Sequence, residues 1–230
     1  MASVYGGHLS KGDGMLASQG HKPTHPSLIQ VEFNNGSYNS RLIALQSFKQ
    51  GQRITKFLPH ASYTPHVSYS TVQVDEAAHI ELNSDLLYCN HSCVPNVRFD
   101  VSGDKHTWAA IADRDIAKGD TLTFFYPSTE WSMSQPFDCA CNSGASCLGK
   151  ISGAKSIPAS ILANYFLNAH ILRLKLQQLQ SAAAAAAADD DDNDNANAKD
   201  IQLLLNGRDE VIARGNARSL AAPSTTQKDA

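Results

Sequence analysis

From residue 28 to residue 126 the apolar residues fall in short alternating runs, broken by Gly, Asn, Pro and Lys clusters. Alternation with period two marks strands that bury one face. Residues 28–33 read as a strand, Asn34-Asn35-Gly36-Ser37 as a hairpin-type turn, and 38–45 as the return strand, since Asn and Gly accept positive φ. A second turn at 49–52 leads into a strand over 53–58, and short β segments continue through 67–74. Residues 107–112 and 121–126 read as two more strands, the last entered through Lys118-Gly119-Asp120. No helices alternate with these strands, so the expected fold is mostly β rather than a parallel α/β sheet.

The period changes after Cys147. Pro158 suits the first turn of a helix, and Leu162, Tyr165, Ala169, Leu172, Leu176 and Leu179 recur at steps of three and four. One amphipathic helix over 156–180 is predicted. Its stripe serves either to pack on its own domain or to bind a partner or a second copy. Residues 181–200 read as an Ala/Asp-rich linker and 201–230 as a tail with one short helix. The first 26 residues carry no apolar period and read as disordered, with His8, His21 and His25 as solvated tail histidines.

Composition narrows the function. The chain has 230 residues, 42% of them hydrophobic, enough for one ordinary core. Its longest apolar run is seven alanines, Ala182 to Ala188, so no membrane span is expected. No apolar stretch in residues 1–20 suggests a signal peptide, and an intracellular protein is expected, with nothing to separate nucleus from cytoplasm. The net charge of −3 arises in the tail: from Ser181 onward nine acidic residues face five basic ones, leaving thirteen acidic and fourteen basic before it. A near-neutral body without a basic field argues against direct nucleic-acid binding.

Five cysteines without a secretory signal point to metal or catalytic thiols rather than disulfides. Cys139-x-Cys141 and Cys147 form C-x-C-x5-C, and a tetrahedral Zn²⁺ site needs a fourth donor, for which Cys93 stands far upstream. Four buried hydrophobic thiols are the bland alternative. Cys89 is left over as a core residue.

Asn90-His91-Ser92-Cys93-Val94-Pro95-Asn96, then Gly119-Asp120-Thr121-Leu122-Thr123-Phe124-Phe125-Tyr126, then the cysteine-rich segment, resemble the SET domain of protein lysine methyltransferases with its post-SET zinc segment. The resemblance covers residues 28–150 and is most specific from Leu82 onward. It implies a SET-type β-clip fold with a pseudoknot over 27–134, a post-SET zinc segment over 135–151, and the C-terminal helix and low-complexity tail beyond. It further implies S-adenosylmethionine as cofactor and a protein substrate bearing a lysine, in a histone tail or elsewhere.

By the same resemblance Tyr126 would orient the amine, with Tyr69 as a second channel tyrosine. Asn90, His91 and Tyr88 would hold the cofactor, and Leu148 would cover its adenine. Phe124 and Phe125 would line the substrate channel, and a phenyl at Phe124 permits di- or trimethylation. Cys93, Cys139, Cys141 and Cys147 would hold zinc. The transfer needs alignment in a dry channel more than a dedicated base, and none stands out. The family's early Gly-x-Gly is replaced by Asn39-Ser40-Arg41, and Leu86-Leu87 stand where an arginine is usual. Two rivals follow: a non-catalytic SET-like zinc module for protein–protein contact, and a thiol redox protein using Cys139 and Cys141.

Overall fold

The computed structural model describes residues 20–35, 39–188 and 197–207. His8, Gly36 and Ser37 of the expected hairpin turn, the acidic cluster at 189–194 and residues 208–230 lie outside the described residues. Twelve strands follow in chain order: β1 (Ile29–Glu32), β2 (Arg41–Ala44), β3 (Arg53–Lys56), β4 (Ser62–Thr64), β5 (Thr71–Asp75), β6 (Ala78–Glu81), β7 (Asn90–His91), β8 (Val97–Asp100), β9 (Ala109–Ala112), β10 (Thr121–Phe124), β11 (Phe137–Asp138) and β12 (Lys150–Ile151). They form a main sheet in the order β1-β2-β10-β8-β9-β3, with β7 also on β10, and two small sheets, β4-β6-β5 and β11-β12. The mostly β expectation holds.

Strand β10 is the centre of this arrangement. It pairs antiparallel with β2 and parallel with both β7 and β8. The parallel contacts bring the segment of Asn90 to Asn96 alongside the strand that leads to Tyr126. Asn96 fixes the register: its Nδ2 donates to the Thr121 carbonyl at 2.9 Å, and its Oδ1 accepts from the Thr123 amide at 2.9 Å. A side chain thus replaces the backbone partner of an extended strand.

Two apolar cores result. The larger gathers the inner faces of the main sheet, with Phe99 stacked on Phe124 at 4.0 Å and edge-on to Phe57 at 5.0 Å. Each such ring contributes about 1.5–3 kcal/mol when fully buried. The second contains Phe125, Ile157, Leu162, Leu167, Ile171 and Leu172 and lies under the C-terminal helices.

These helices correct the sequence reading. The single helix expected over 156–180 is two, α1 (Ala159–Leu162) and α2 (Ala169–Ala188), with an irregular bend between them. The break lets Phe166 and Leu167, which fall off the apolar stripe, be buried as well. It also frees Asn168, fully buried, to bond the Phe99 and Ser128 carbonyls. The stripe packs on its own domain, with Leu176 and Leu179 only partly buried at its far end. The alanine run, expected as a linker, continues α2 to Ala188 because nothing in it breaks a helix. Residues 197–207 are helical too, and Leu204 is buried in the second core. An added Cβ at Gly207 would strike the Ala163 carbonyl, so glycine permits that close approach.

Gly153 carries the turn from β12 into the second core at φ 111° and ψ 169°. This region is essentially reserved for glycine. A Cβ there would lie 2.5 Å from the Trp131 carbonyl oxygen. Gly153→Ala should therefore destabilise the protein by about 2 kcal/mol or more, read as a lower denaturant midpoint at unchanged slope.

Candidate functional site

The site begins with a buried acid. Asp85 opens a 3₁₀ turn, Asp85–Tyr88, and its side chain is fully buried. Its Oδ2 accepts the amides of Thr24 at 2.9 Å and His25 at 3.3 Å, its own amide donates to Thr24 Oγ1, and His21 Nε2 stands 3.1 Å from Oδ1. A buried carboxylate needs such partners. Residues 20–26 are therefore an ordered strap rather than a loose tail, and His21 and His25 are not solvated. His21 packs on Phe33 and Tyr88. His25 lies 5.3 Å from His60 and is lowered from its ordinary pKa by burial and by that second ring.

The same turn corrects Tyr88. Its ring is buried in the main core, 5.4 Å from Phe33, and burial pushes its hydroxyl to about 12. It borders neither of the cavities described below. Inward packing of the turn takes this side chain away from both cavities.

Asn90 and His91 follow on β7. Asn90 Nδ2 donates to the Ser40 carbonyl at 2.8 Å, joining β7 to the stretch where the glycine pair is missing. His91 Nδ1 accepts the Tyr126 backbone amide at 3.2 Å. Since that nitrogen is an acceptor, the neutral ring carries its proton on Nε2, which donates to Cys93 Sγ at 3.4 Å. Burial holds His91 near pKa 4, so the ring stays neutral at ordinary pH. One side chain thus links the backbone of Tyr126 to the sulfur of Cys93.

The four expected thiols converge. The Sγ atoms of Cys93, Cys139, Cys141 and Cys147 all lie within 4.8 Å of one another, and Cys93 and Cys139 are 3.8 Å apart. A tetrahedral centre with Zn–S of about 2.3 Å places its sulfurs about 3.8 Å apart, so the set fits Zn²⁺. Cys93 Sγ also accepts the Leu148 amide at 3.3 Å, as a thiolate ligand would. Burial raises Cys93 and Cys139 above the ordinary thiol value, a penalty that a bound dication reverses. Cys89 is a buried core thiol and stands outside this group.

Two cavities meet beside this cluster. The open one, about 890 Å³, lies between Arg41, Asn90, His91, Thr123, Phe137 and Cys139. That size and mixed lining suit a nucleoside-sized ligand, so S-adenosylmethionine fits the residues present. The narrow one, about 50 Å³, lies among Leu86, Cys89, Phe124 and Glu130. Tyr69, Tyr126 and Met133 border both. Tyr126 Oη donates to the Cys89 carbonyl at 3.3 Å, and burial lifts its pKa above the ordinary phenol value.

Two other expected site residues are placed elsewhere. Phe125 is not in the channel: alternation along the strand sends Phe124 to the narrow cavity and Phe125 to the opposite face. There it stacks on Tyr165 at 3.7 Å and 6°. Leu148 does not border the cleft, because its side chain packs against the second core. Phe137 borders it instead, its ring 5.8 Å from that of His91.

Sequence reasoning missed Glu130 and Tyr165. Glu130 follows Tyr126 by four residues, one helical turn, and that spacing after Pro127 was the available signal. Tyr165 donates to the Cys93 carbonyl at 2.9 Å, a contact across 72 residues that left no local trace.

Residues 27–127 match the SET domain family. Over 153 residues the chain is 42% identical to "Methyltransferase flvH" of Aspergillus flavus, covering 65% of this chain and 82% of that protein. Among solved structures, KRYPTONITE in complex with mCHG DNA and SAH aligns over 53% of this chain and 28% of its own, at 18% identity and a TM-score of 0.42. KRYPTONITE in complex with mCHH DNA, H3(1-15) peptide and SAH aligns over 53% and 29%, at 17% identity and a TM-score of 0.42.

Proposed function

Because the chain belongs to the SET-domain methyltransferase family, we propose that it methylates the terminal amine of a lysine side chain in a protein, using S-adenosylmethionine. A histone tail and a non-histone protein are both within this class. The observation that carries the proposal is Tyr126, which borders both the open cleft and the narrow cavity.

When bound, S-adenosylmethionine supplies a methyl group on a positively charged sulfur. The residues of the chain do the rest by placement. Asn90, His91 and Thr123 line the cleft that would hold the nucleoside, and Leu86, Phe124 and Tyr69 line the bore that would take the aliphatic stem of a lysine. In-line attack requires reacting atoms within about 3–3.5 Å and little water between them, which a cavity this small favours. The Tyr126 hydroxyl donates a hydrogen bond to the Cys89 carbonyl and keeps its oxygen lone pairs for the reacting groups. Its raised pKa keeps it a neutral dipole. Zn²⁺ on Cys93, Cys139, Cys141 and Cys147 would clamp one wall of the cleft.

Tyr126→Phe removes this oxygen and little else. Radiolabelled methyl transfer onto histones and onto whole-cell protein extract should fall about 100-fold or more. Affinity for S-adenosylhomocysteine should stay within about twofold, since the uniform binding contacts are untouched. Full activity in the variant overturns the role of Tyr126. A second reading, a non-catalytic zinc module, is favoured by the side chains of Asn39 and Arg41 in the cleft wall where glycine would leave bare backbone. Calorimetry of the zinc-loaded protein with millimolar S-adenosylmethionine decides: no binding discards methyl transfer.

A further inference from the structure

Glu130 borders the narrow cavity together with Tyr69, Cys89, Phe124 and Tyr126. Its main chain is clamped on both sides. The Glu130 amide donates to the Tyr126 carbonyl at 3.0 Å, and the Ala154 amide donates to the Glu130 carbonyl at 2.8 Å. The side chain is held too, with Oε1 accepting the Gln73 amide at 2.9 Å and the Thr129 hydroxyl at 3.1 Å. Both of these donors are neutral. No ion pair among the described residues involves Glu130.

An acid so placed is costly in its charged form. Burial raises Glu130 to about 7, while the Gln73 amide and the Thr129 hydroxyl pull it the other way. Aliphatic and aromatic walls such as Leu82, Leu86 and Phe124 share the lining with neutral hydroxyls of Ser68, Ser70, Thr71 and Ser134, and a cavity of about 50 Å³ admits only a slender chain. A slender aliphatic chain ending in a cation complements both properties at once: the stem fills the bore, and the head supplies the positive charge that the carboxylate lacks.

We propose that the Glu130 carboxylate is the counter-charge for the substrate's ammonium group, so that the cavity selects an alkylamine and takes up its proton before methyl transfer. The proposal rests on the methyl-transfer reading above and deepens it. In the proton step one N–H bond of the ammonium breaks, its electron pair stays on nitrogen, and the proton passes to a carboxylate oxygen of Glu130. The neutral amine keeps the lone pair that attacks, and the proton leaves Glu130 for water once the product has gone.

The competing account is that Glu130 only caps the Gln73 amide on β5, the outer strand of its small sheet. Glu130→Gln separates the two, since the amide oxygen still accepts from Gln73 and Thr129 while the charge is gone. The probes are n-butylamine and n-butanol, with binding to the full zinc-loaded chain in the presence of S-adenosylhomocysteine read by saturation-transfer NMR. The wild type should prefer the amine by about tenfold, and E130Q should lose that preference with alcohol binding, melting temperature and S-adenosylhomocysteine affinity unchanged.

An amine preference that survives in E130Q overturns the proposal, as does an equal loss of both probes. If E130Q does not fold, Glu130→Asp asks the same question by withdrawing the charge one methylene: reduced amine preference supports the proposal and unchanged preference overturns it. A wild type that does not bind S-adenosylhomocysteine defeats the proposed function instead. One that binds it but does not tell amine from alcohol defeats this inference alone.

Discussion

Cys93→Ser should leave the purified protein without its metal. Elemental analysis of the wild type is expected to give about one zinc per chain, and the variant well under a tenth of that. Cys93 is the donor that joins distant parts of the chain. The other three thiols lie between Cys139 and Cys147, whereas Cys93 belongs to the segment alongside β10. The serine hydroxyl can still accept from His91 Nε2–H and the Leu148 amide, both aimed at this position, so what the substitution removes is the thiolate that would ligate the metal. The wall carrying Phe137 and Cys139 then has no clamp, and S-adenosylhomocysteine affinity should fall about 100-fold or more. A metal-free wild type whose thiols titrate identically with and without chelator overturns the metal centre and revives the redox reading.

Asn168→Ala should cost about 3 kcal/mol or more, the largest effect expected from a residue outside the site. Asn168 is fully buried and joins three elements. Nδ2 donates to the Phe99 carbonyl at 2.8 Å and to the Ser128 carbonyl at 2.9 Å, and Oδ1 accepts the Val101 amide at 2.8 Å. Truncation leaves the Phe99 carbonyl and the Val101 amide without their side-chain partner, at about 1–3 kcal/mol each before relaxation, while the Ser128 carbonyl keeps the residue-168 amide at 3.2 Å. The thermal midpoint should drop by about 6–12 °C for a protein of this size. A drop under about 2 °C would mean that water takes over the three contacts. Ser128 follows closely on Tyr126, so methyl transfer should weaken with stability rather than independently of it.

Much of the site could be read locally. Period-two alternation marked the strands of the main sheet, and the cysteine spacing marked four thiols that the structure does bring together. The remaining errors share one cause. Tyr88 and Phe125 sit beside residues that do border the cavities, Leu148 sits beside Cys147 of the thiol cluster, and sequence neighbours at a strand or a tight turn point in different directions. Which direction faces a cavity depends on elements far away in the chain: Phe33 for Tyr88, Tyr165 for Phe125. The strap made by His21 and Thr24 was invisible for the same reason, because its partner Asp85 lies about sixty residues later.

What the amino-acid sequence determined by itself is therefore local and compositional: short amphipathic strands, an apolar helical period, a set of thiols and two motifs characteristic of one family. These follow from the steric preferences and spacings of neighbouring residues, which travel with the chain. The tertiary structure alone decided that the helical stripe is broken at Asn168 and packed inward, that His91 links Tyr126 to Cys93, and that Glu130 shares a cavity with Tyr126. Each of these depends on pairing a buried polar group with a partner whose position is set only when the strands have closed around it.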